Sequence, residues 1–132
     1  MQIGISKSKK ILIIDDEAGF TKLLRMNLER NGDYEVMIEN HSVHALKTAQ
    51  AFQPDLVLLD LVMPGLDGGD VAALFQADPK LKKVPVIMLT ALVAHGETST
   101  GSVAQAAGVT VLPKPVEMAT LRSCITDILE KS

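Results

Sequence analysis

Ile11-Leu12-Ile13-Ile14-Asp15-Asp16 joins four consecutive branched aliphatic residues to two acids. A strand with one face in water alternates apolar and polar side chains, so an unbroken aliphatic run of this length predicts a strand covered on both faces. The same grammar returns at Leu56-Val57-Leu58-Leu59-Asp60. Three more strand-sized apolar segments lie at residues 34–38, 84–89 and 109–112; the second leads into Thr90 and the third into Pro113-Lys114-Pro115. Parallel strands of one sheet have their carboxyl ends along one edge, which would bring Asp15, Asp16, Asp60, Thr90 and Lys114 to a common pocket.

The segments between the strands have a different period. Phe20, Leu23, Leu24, Asn27 and Leu28 follow i, i+3, i+4, i+7, i+8 spacing, as do Leu121, Cys124, Ile125, Ile128 and Leu129, so each group predicts a helix with one buried stripe. Val43, Leu46, Ala49 and Phe52 predict a second helix stopping near Pro54, and Val71, Ala72, Leu74 and Phe75 a third ending before Asp78-Pro79. Val103 to Ala107, closed by Gly108, reads as a fourth. Strand and helix alternating in this way predict a doubly wound α/β fold with a parallel sheet and right-handed crossovers.

Composition bounds the rest. At 132 residues the chain predicts one domain, with residues 1–9 as a tail and 10–130 as the folded unit. Hydrophobic residues at 47% and charged residues at 22% are those of an ordinary globular protein, and no apolar run is long enough for a bilayer. A net charge of −3 gives no electrostatic reason for binding nucleic acid. Lys7, Lys9 and Lys10 read as a solvated basic cluster. One cysteine cannot form an intrachain disulfide, and the start lacks the apolar stretch of a signal peptide, so a reducing cytoplasm is expected, with Cys124 in the core. His41, His44 and His95 show no set of companion ligands in the sequence, so none is read as a metal ligand.

Taken singly, each polar residue has a structural explanation. A strand-end Asp forms turns or caps helices, Asp67-Gly68 reads as a turn, and a strand-end Thr bonds nearby backbone. Together and in order, however, Asp15-Asp16, Asp60 with Met63-Pro64 and Asp67-Gly68, Thr90-Ala91 and Lys114-Pro115 resemble the receiver domain of two-component response regulators, and the resemblance covers essentially the whole chain. It implies a flavodoxin-like, five-stranded parallel sheet in the order 2-1-3-4-5 with five helices. It also implies phosphorylation of Asp60 by a sensor histidine kinase or a histidine phosphotransfer protein. A metal would be held by Asp16 and Asp60 directly, by Asp15 through water and by the backbone carbonyl of Val62. The Lys114-Pro115 peptide is expected to be cis.

The chemistry fits these residue types. Phosphoryl transfer to a carboxylate asks for positioning and for dispersal of charge on the transferred oxygens. Three acids held together repel one another, and oxygen-only ligands point to Mg²⁺, with Mn²⁺ as a substitute. Lys114 would pair with one phosphoryl oxygen, and the Thr90 hydroxyl with the Ala91 N–H would bond another. The expected partners are the phosphodonor and a downstream protein, without nucleic acid or membrane contact within this chain. The domain is read as a switch that catalyses only its own phosphorylation and slow dephosphorylation. Two other readings are an aspartyl-phosphate phosphohydrolase and an unphosphorylated pseudo-receiver. The first is disfavoured because haloacid-dehalogenase-like enzymes want a second Asp where this chain has Val62, the second because every required charged residue is present.

Three departures from the family pattern bear on the switch. Val111 replaces the usual aromatic three residues before Lys114, so the signal is expected to pass through the 93–101 loop, which is longer than usual and rich in Gly, Ser and Thr. Val62 and Leu92 flank the site without a polar group to position water, which predicts slow self-dephosphorylation. The sequence ends soon after the last helix, at Lys131-Ser132, as expected of a stand-alone receiver or one excised from a longer protein.

Overall fold

The computed structural model describes residues 8–91, 104–106 and 109–131. Its elements run β1 (Lys9–Ile14), α1 (Ala18–Glu29), β2 (Tyr34–Glu39), a 3₁₀ turn (Ser42–His44), α2 (Ala45–Phe52), β3 (Leu56–Asp60), α3 (Gly68–Gln76), β4 (Val86–Thr90), β5 (Ala104–Ala106), β6 (Val109–Pro113) and α4 (Met118–Lys131). The sheet order is β2-β1-β3-β4-β6-β5. Five of these strands are parallel, and counted alone they follow the order 2-1-3-4-5. The short β5 pairs antiparallel with β6 at the edge, Gln105 opposite Thr110.

The unbroken aliphatic runs bury both faces of the sheet. Ile11 and Ile13 point into a core closed by Leu24 and Leu28 of α1 and Leu121 and Ile125 of α4. Their neighbours Leu12 and Ile14 point the other way, against Ala45, Ala49 and Phe52 of α2 and Val71 and Phe75 of α3. All four residues of the run are fully buried, as are Leu56, Val57 and Leu59 in β3. Because side chains alternate along a strand, a slip of one residue in register would exchange the two cores, and burial on both faces resists it. At about 1.5–3 kcal/mol for each large apolar side chain removed from water, these central strands are the rigid frame for anything carried at their ends.

Several sequence expectations need correction. Of the five helices expected, four lie among the described residues. Residues 104–106, read as the fourth, are the strand β5. The five-residue segment Val103 to Ala107 is too short, and with three alanines too featureless, to separate a 3.6-residue period from a two-residue one, so pairing with β6 decided the outcome. Val43 opens into solvent from the 3₁₀ turn, and Leu23 of α1 and Leu74 of α3 are exposed where buried stripes were predicted. Val84 and Pro85 precede β4; the Val84 N–H bonds Leu81 in a turn, and Pro85 contributes only its carbonyl, to Val57. Cys124 packs at the margin of the first core, half-buried, and burial followed by the nearby Asp127 charge pushes its thiol pKa up. Leu92, the 93–101 loop, Val103, Ala107 and Gly108 lie outside the described residues. No helix among the described residues is long and apolar enough to cross a membrane.

The turn reading of Asp67 acquires a mechanism. Its carboxylate accepts the Asp70 N–H at 2.9 Å, and the Asp70 carboxylate accepts the Asp67 N–H at 3.1 Å, a reciprocal cap at the start of α3. Asp67→Ala should lower stability by about 1 kcal/mol in urea melts, the usual effect of losing such a cap.

Candidate functional site

Each strand ends where its hydrogen-bond ladder stops, and the parallel arrangement puts those ends side by side. Register pairs Ile14 with Leu59 and Asp60 with Leu89, while Thr90 pairs with Pro113, one residue before Lys114. The five candidate residues therefore arise within two residues of the strand ends along one edge. A cleft there is lined by Asp16, Glu17, Asp60, Val62, Ala91 and Lys114. Asp15 and Asp60 are buried, Asp16 is exposed, and the three carboxylates each bring an oxygen within 4.8 Å of the others. Val62 holds an exposed side chain over the cleft. Thr90 is buried at the end of β4, and its neighbour Ala91 is exposed to the cleft.

Lys114 is the counter-charge. Its ammonium donates to Asp15 Oδ2 at 2.8 Å and to Glu17 Oε1 at 2.9 Å, stands 3.5 Å from Asp60 Oδ2, and lies 4.6 Å from the centre of the Phe20 ring. The Lys114-Pro115 peptide is cis, and the Lys114 N–H donates to the Thr90 carbonyl. Burial opposes the ammonium charge, but the hydrogen bonds to Asp15 and Glu17 and the charges of Asp15 and Asp60 prevail, so the lysine pKa rises above its ordinary value. At Asp60 burial prevails over the partners. Burial, then the Asp15 charge, raise its pKa; Lys114 and the Val62 N–H, which donates to Asp60 Oδ1 at 3.3 Å, only partly offset them. Two buried acids with one ammonium leave a net negative pocket, an environment that favours a hard divalent cation on oxygen ligands. The donor set thus fits Mg²⁺.

Two supporting residues were not foreseen in the sequence. Glu17 shares Lys114 with Asp15, and its backbone N–H donates to Asp15 Oδ1 at 2.9 Å. Asn40 donates to the Asp15 carbonyl at 2.7 Å and to Thr21 Oγ1 at 3.1 Å, tying the end of β1 to β2 and α1. Glu17 becomes a candidate only once Lys114 is known to return beside it. His41 and His44, for which the sequence offered no companions, lie beside Glu39, and one potential ligand atom from each of the three is within 4.8 Å of the others.

A carboxylate cluster and a lysine on the carboxyl edge of a doubly wound sheet define a class of phosphoryl-handling α/β domains. The "Response regulator receiver domain" family matches residues 11–126, and the chain belongs to it. It is 43% identical over 84 residues to the alkaline phosphatase synthesis transcriptional regulatory protein PhoP of Bacillus subtilis, covering 64% of this chain and 34% of that protein. The DNA-binding response regulator MtrA of Mycobacterium tuberculosis is 37% identical over 83 residues, 63% of this chain and 35% of MtrA. The chain thus spans about a third of the length of these curated relatives. Among solved structures, the receiver domain of sensor histidine kinase PA1611 from Pseudomonas aeruginosa superposes with a TM-score of 0.77 at 25% identity, over 94% of this chain and 99% of that one. That structure has a magnesium ion coordinated in its active-site cleft.

Proposed function

We propose that this domain is an Mg²⁺-dependent phosphoacceptor switch that takes a phosphoryl group on Asp60 from a phosphohistidine of a sensor kinase or phosphotransfer protein. The observation that carries this reading is the convergence of Asp15, Asp16, Asp60 and Lys114 from three separate strand ends. An Asp60 oxygen attacks phosphorus; the P–N bond to the donor imidazole breaks, and its electron pair stays on the leaving nitrogen. Lys114, already 3.5 Å from Asp60, pairs with an oxygen of the transferred group. The Ala91 N–H and the Thr90 hydroxyl serve another oxygen, with Thr90 moving toward the cleft. Asp16, Asp60 and the Val62 carbonyl would hold Mg²⁺ directly, and Asp15 through water. When bound, the ion supplies charge neutralisation for the acids and the incoming phosphoryl oxygens.

In this reading the acceptor is consumed once per phosphorylation, so the domain is a signalling component and not a turnover enzyme. Its output is a changed protein contact, its donor a kinase or phosphotransfer protein, and its compartment the cytoplasm. The loss of an aromatic at Val111, half-buried in β6, leaves the loop after β4 to carry the change. Incubation with Mg²⁺ and acetyl phosphate followed by intact mass tests the chemistry. The parent should gain one phosphoryl group, and neither Asp60→Asn nor the parent in chelator should gain any; an adduct persisting in Asp60→Asn would refute the assignment.

A further inference from the structure

Glu39, His41 and His44 form a second cluster of potential ligands, chemically unlike the first. Glu39 ends β2, and the 3₁₀ turn that follows has His41 as its N-cap and His44 as its last residue. A 3₁₀ turn repeats every three residues, so side chains three apart lie one above the other. The two imidazoles accordingly share one side, with ring centres 5.7 Å apart and planes inclined by 54°. Their Nδ1 atoms stand 3.7 and 4.0 Å from the same oxygen, Glu39 Oε2. One ligand atom from each of the three residues lies within 4.8 Å of the other two.

We propose that Glu39, His41 and His44 bind a borderline divalent transition metal of the zinc class, with water completing the coordination. Tetrahedral Zn²⁺ with arms of about 2.0–2.1 Å puts neighbouring ligand atoms roughly 3.3 Å apart. Both imidazoles are exposed and free to rotate by the small amount that closes the difference. Glu39 is set for the task by its own partners: Oε1 accepts the Thr48 hydroxyl at 2.6 Å, and Oε2 accepts the His41 backbone N–H at 2.9 Å. Such outer contacts orient ligands and raise metal affinity. Two imidazoles with one carboxylate select zinc, cobalt, nickel or copper, while the all-oxygen cluster at Asp60 selects magnesium. The two sites are therefore separable in one molecule, and this one does not rest on the role of Asp60. It is nevertheless joined to that region. Asn40, between Glu39 and His41, holds the Asp15 carbonyl, and Ser42, between the two ligating positions of the turn, donates to the Pro64 carbonyl and accepts the Leu66 N–H from the loop after Asp60.

The test is a Co²⁺ titration of the full chain in excess Mg²⁺, read by visible absorption and followed by displacement with Zn²⁺. One equivalent should bind. His41→Ala and His44→Ala should each weaken binding tenfold or more, the double variant should abolish it, and Thr48→Val should weaken it about tenfold. Asp60→Asn and His95→Gln should bind as the parent does, and all variants should keep the parent circular dichroism spectrum. Failure of the parent to bind below millimolar metal, retention of binding in the double variant, or its loss in Asp60→Asn or His95→Gln would overturn the assignment.

Discussion

Replacing Gly68 by alanine should lower the stability of the domain by about 3 kcal/mol, the upper part of the usual range for overpacking a close-packed site. For a chain of this size that is about 10 °C in Tm. A Cβ on Gly68 would stand 2.6 Å from the Asp60 carbonyl oxygen and 2.7 Å from Leu61 Cα. Both are backbone atoms, so no side chain can swing aside to relieve the contact. The Gly68 N–H also donates to the Leu61 carbonyl at 2.8 Å, fastening the first turn of α3 onto the end of β3. The strand end that must yield is the one bearing Asp60, so phosphoryl uptake from acetyl phosphate should slow together with the loss of stability. Gly69→Ala is the control. Its Cβ meets only a side-chain oxygen, Asp67 Oδ1, at 3.3 Å in the first turn of α3, so the change in stability should be much smaller than at Gly68. Equal thermal midpoints for Gly68→Ala and the parent would show that the strand end gives way freely, contrary to the close packing of Gly68 on the Asp60 and Leu61 backbone.

Lys114→Met should cost about 3 kcal/mol at pH 7 in chelator, because it leaves the buried Asp15 and Asp60 without their ammonium. Adding Asp60→Asn to that variant should recover much of the loss, and a double-mutant cycle in urea would measure the coupling. The pH dependence follows from Asp60. Its folded pKa is raised, first by burial and then by Asp15, so the folded state holds that proton more tightly than the unfolded chain. Stability from this group is therefore highest below its unfolded value and falls as pH rises through the raised folded value. Removing Lys114 takes away a contribution that lowers the Asp60 pKa, so the cost of the substitution should be greatest at neutral pH and shrink on acidification. The parent with Asp60→Asn alone should be more stable than the parent at pH 7 in chelator. Mg²⁺ should narrow that difference, since a ligand of the folded acids stabilises them by mass action. A cost for Lys114→Met that does not change between pH 7 and the acid limb would mean that the lysine acts through packing against Phe20 and not through charge.

The parallel sheet was legible because its strands are buried on both faces. Ile11 to Ile14 and Leu56 to Leu59 have no polar alternation, and such runs fit few environments other than the centre of a doubly wound fold. The edges were less legible. Val43, Leu23 and Leu74 fit a helical period yet face solvent, since period alone does not tell how wide a stripe the neighbouring layer covers. The stretch at 104–106, two alanines around Gln105, is too short and too weakly apolar to signal helix or strand.

Asp15, Asp16, Asp60, Thr90 and Lys114 were readable in the sequence because each ends an apolar strand, and a parallel sheet collects such ends on one edge. Their partners were not readable. That Glu17 shares Lys114, that Asn40 secures the Asp15 carbonyl, and that Gly68 touches the Asp60 backbone depend on contacts between residues 19 to 97 positions apart or on the angle at which one loop leaves a strand. The pairing of His41 and His44 over Glu39 depends in the same way on the tighter winding of one 3₁₀ turn, which brings side chains three apart into line. Hydrophobic pattern therefore determined the frame and the edge on which chemistry gathers, because burial acts on whole segments. Distances, charge partners and the second ligand cluster were decided only in three dimensions, where a few degrees of backbone place one polar atom within reach of another.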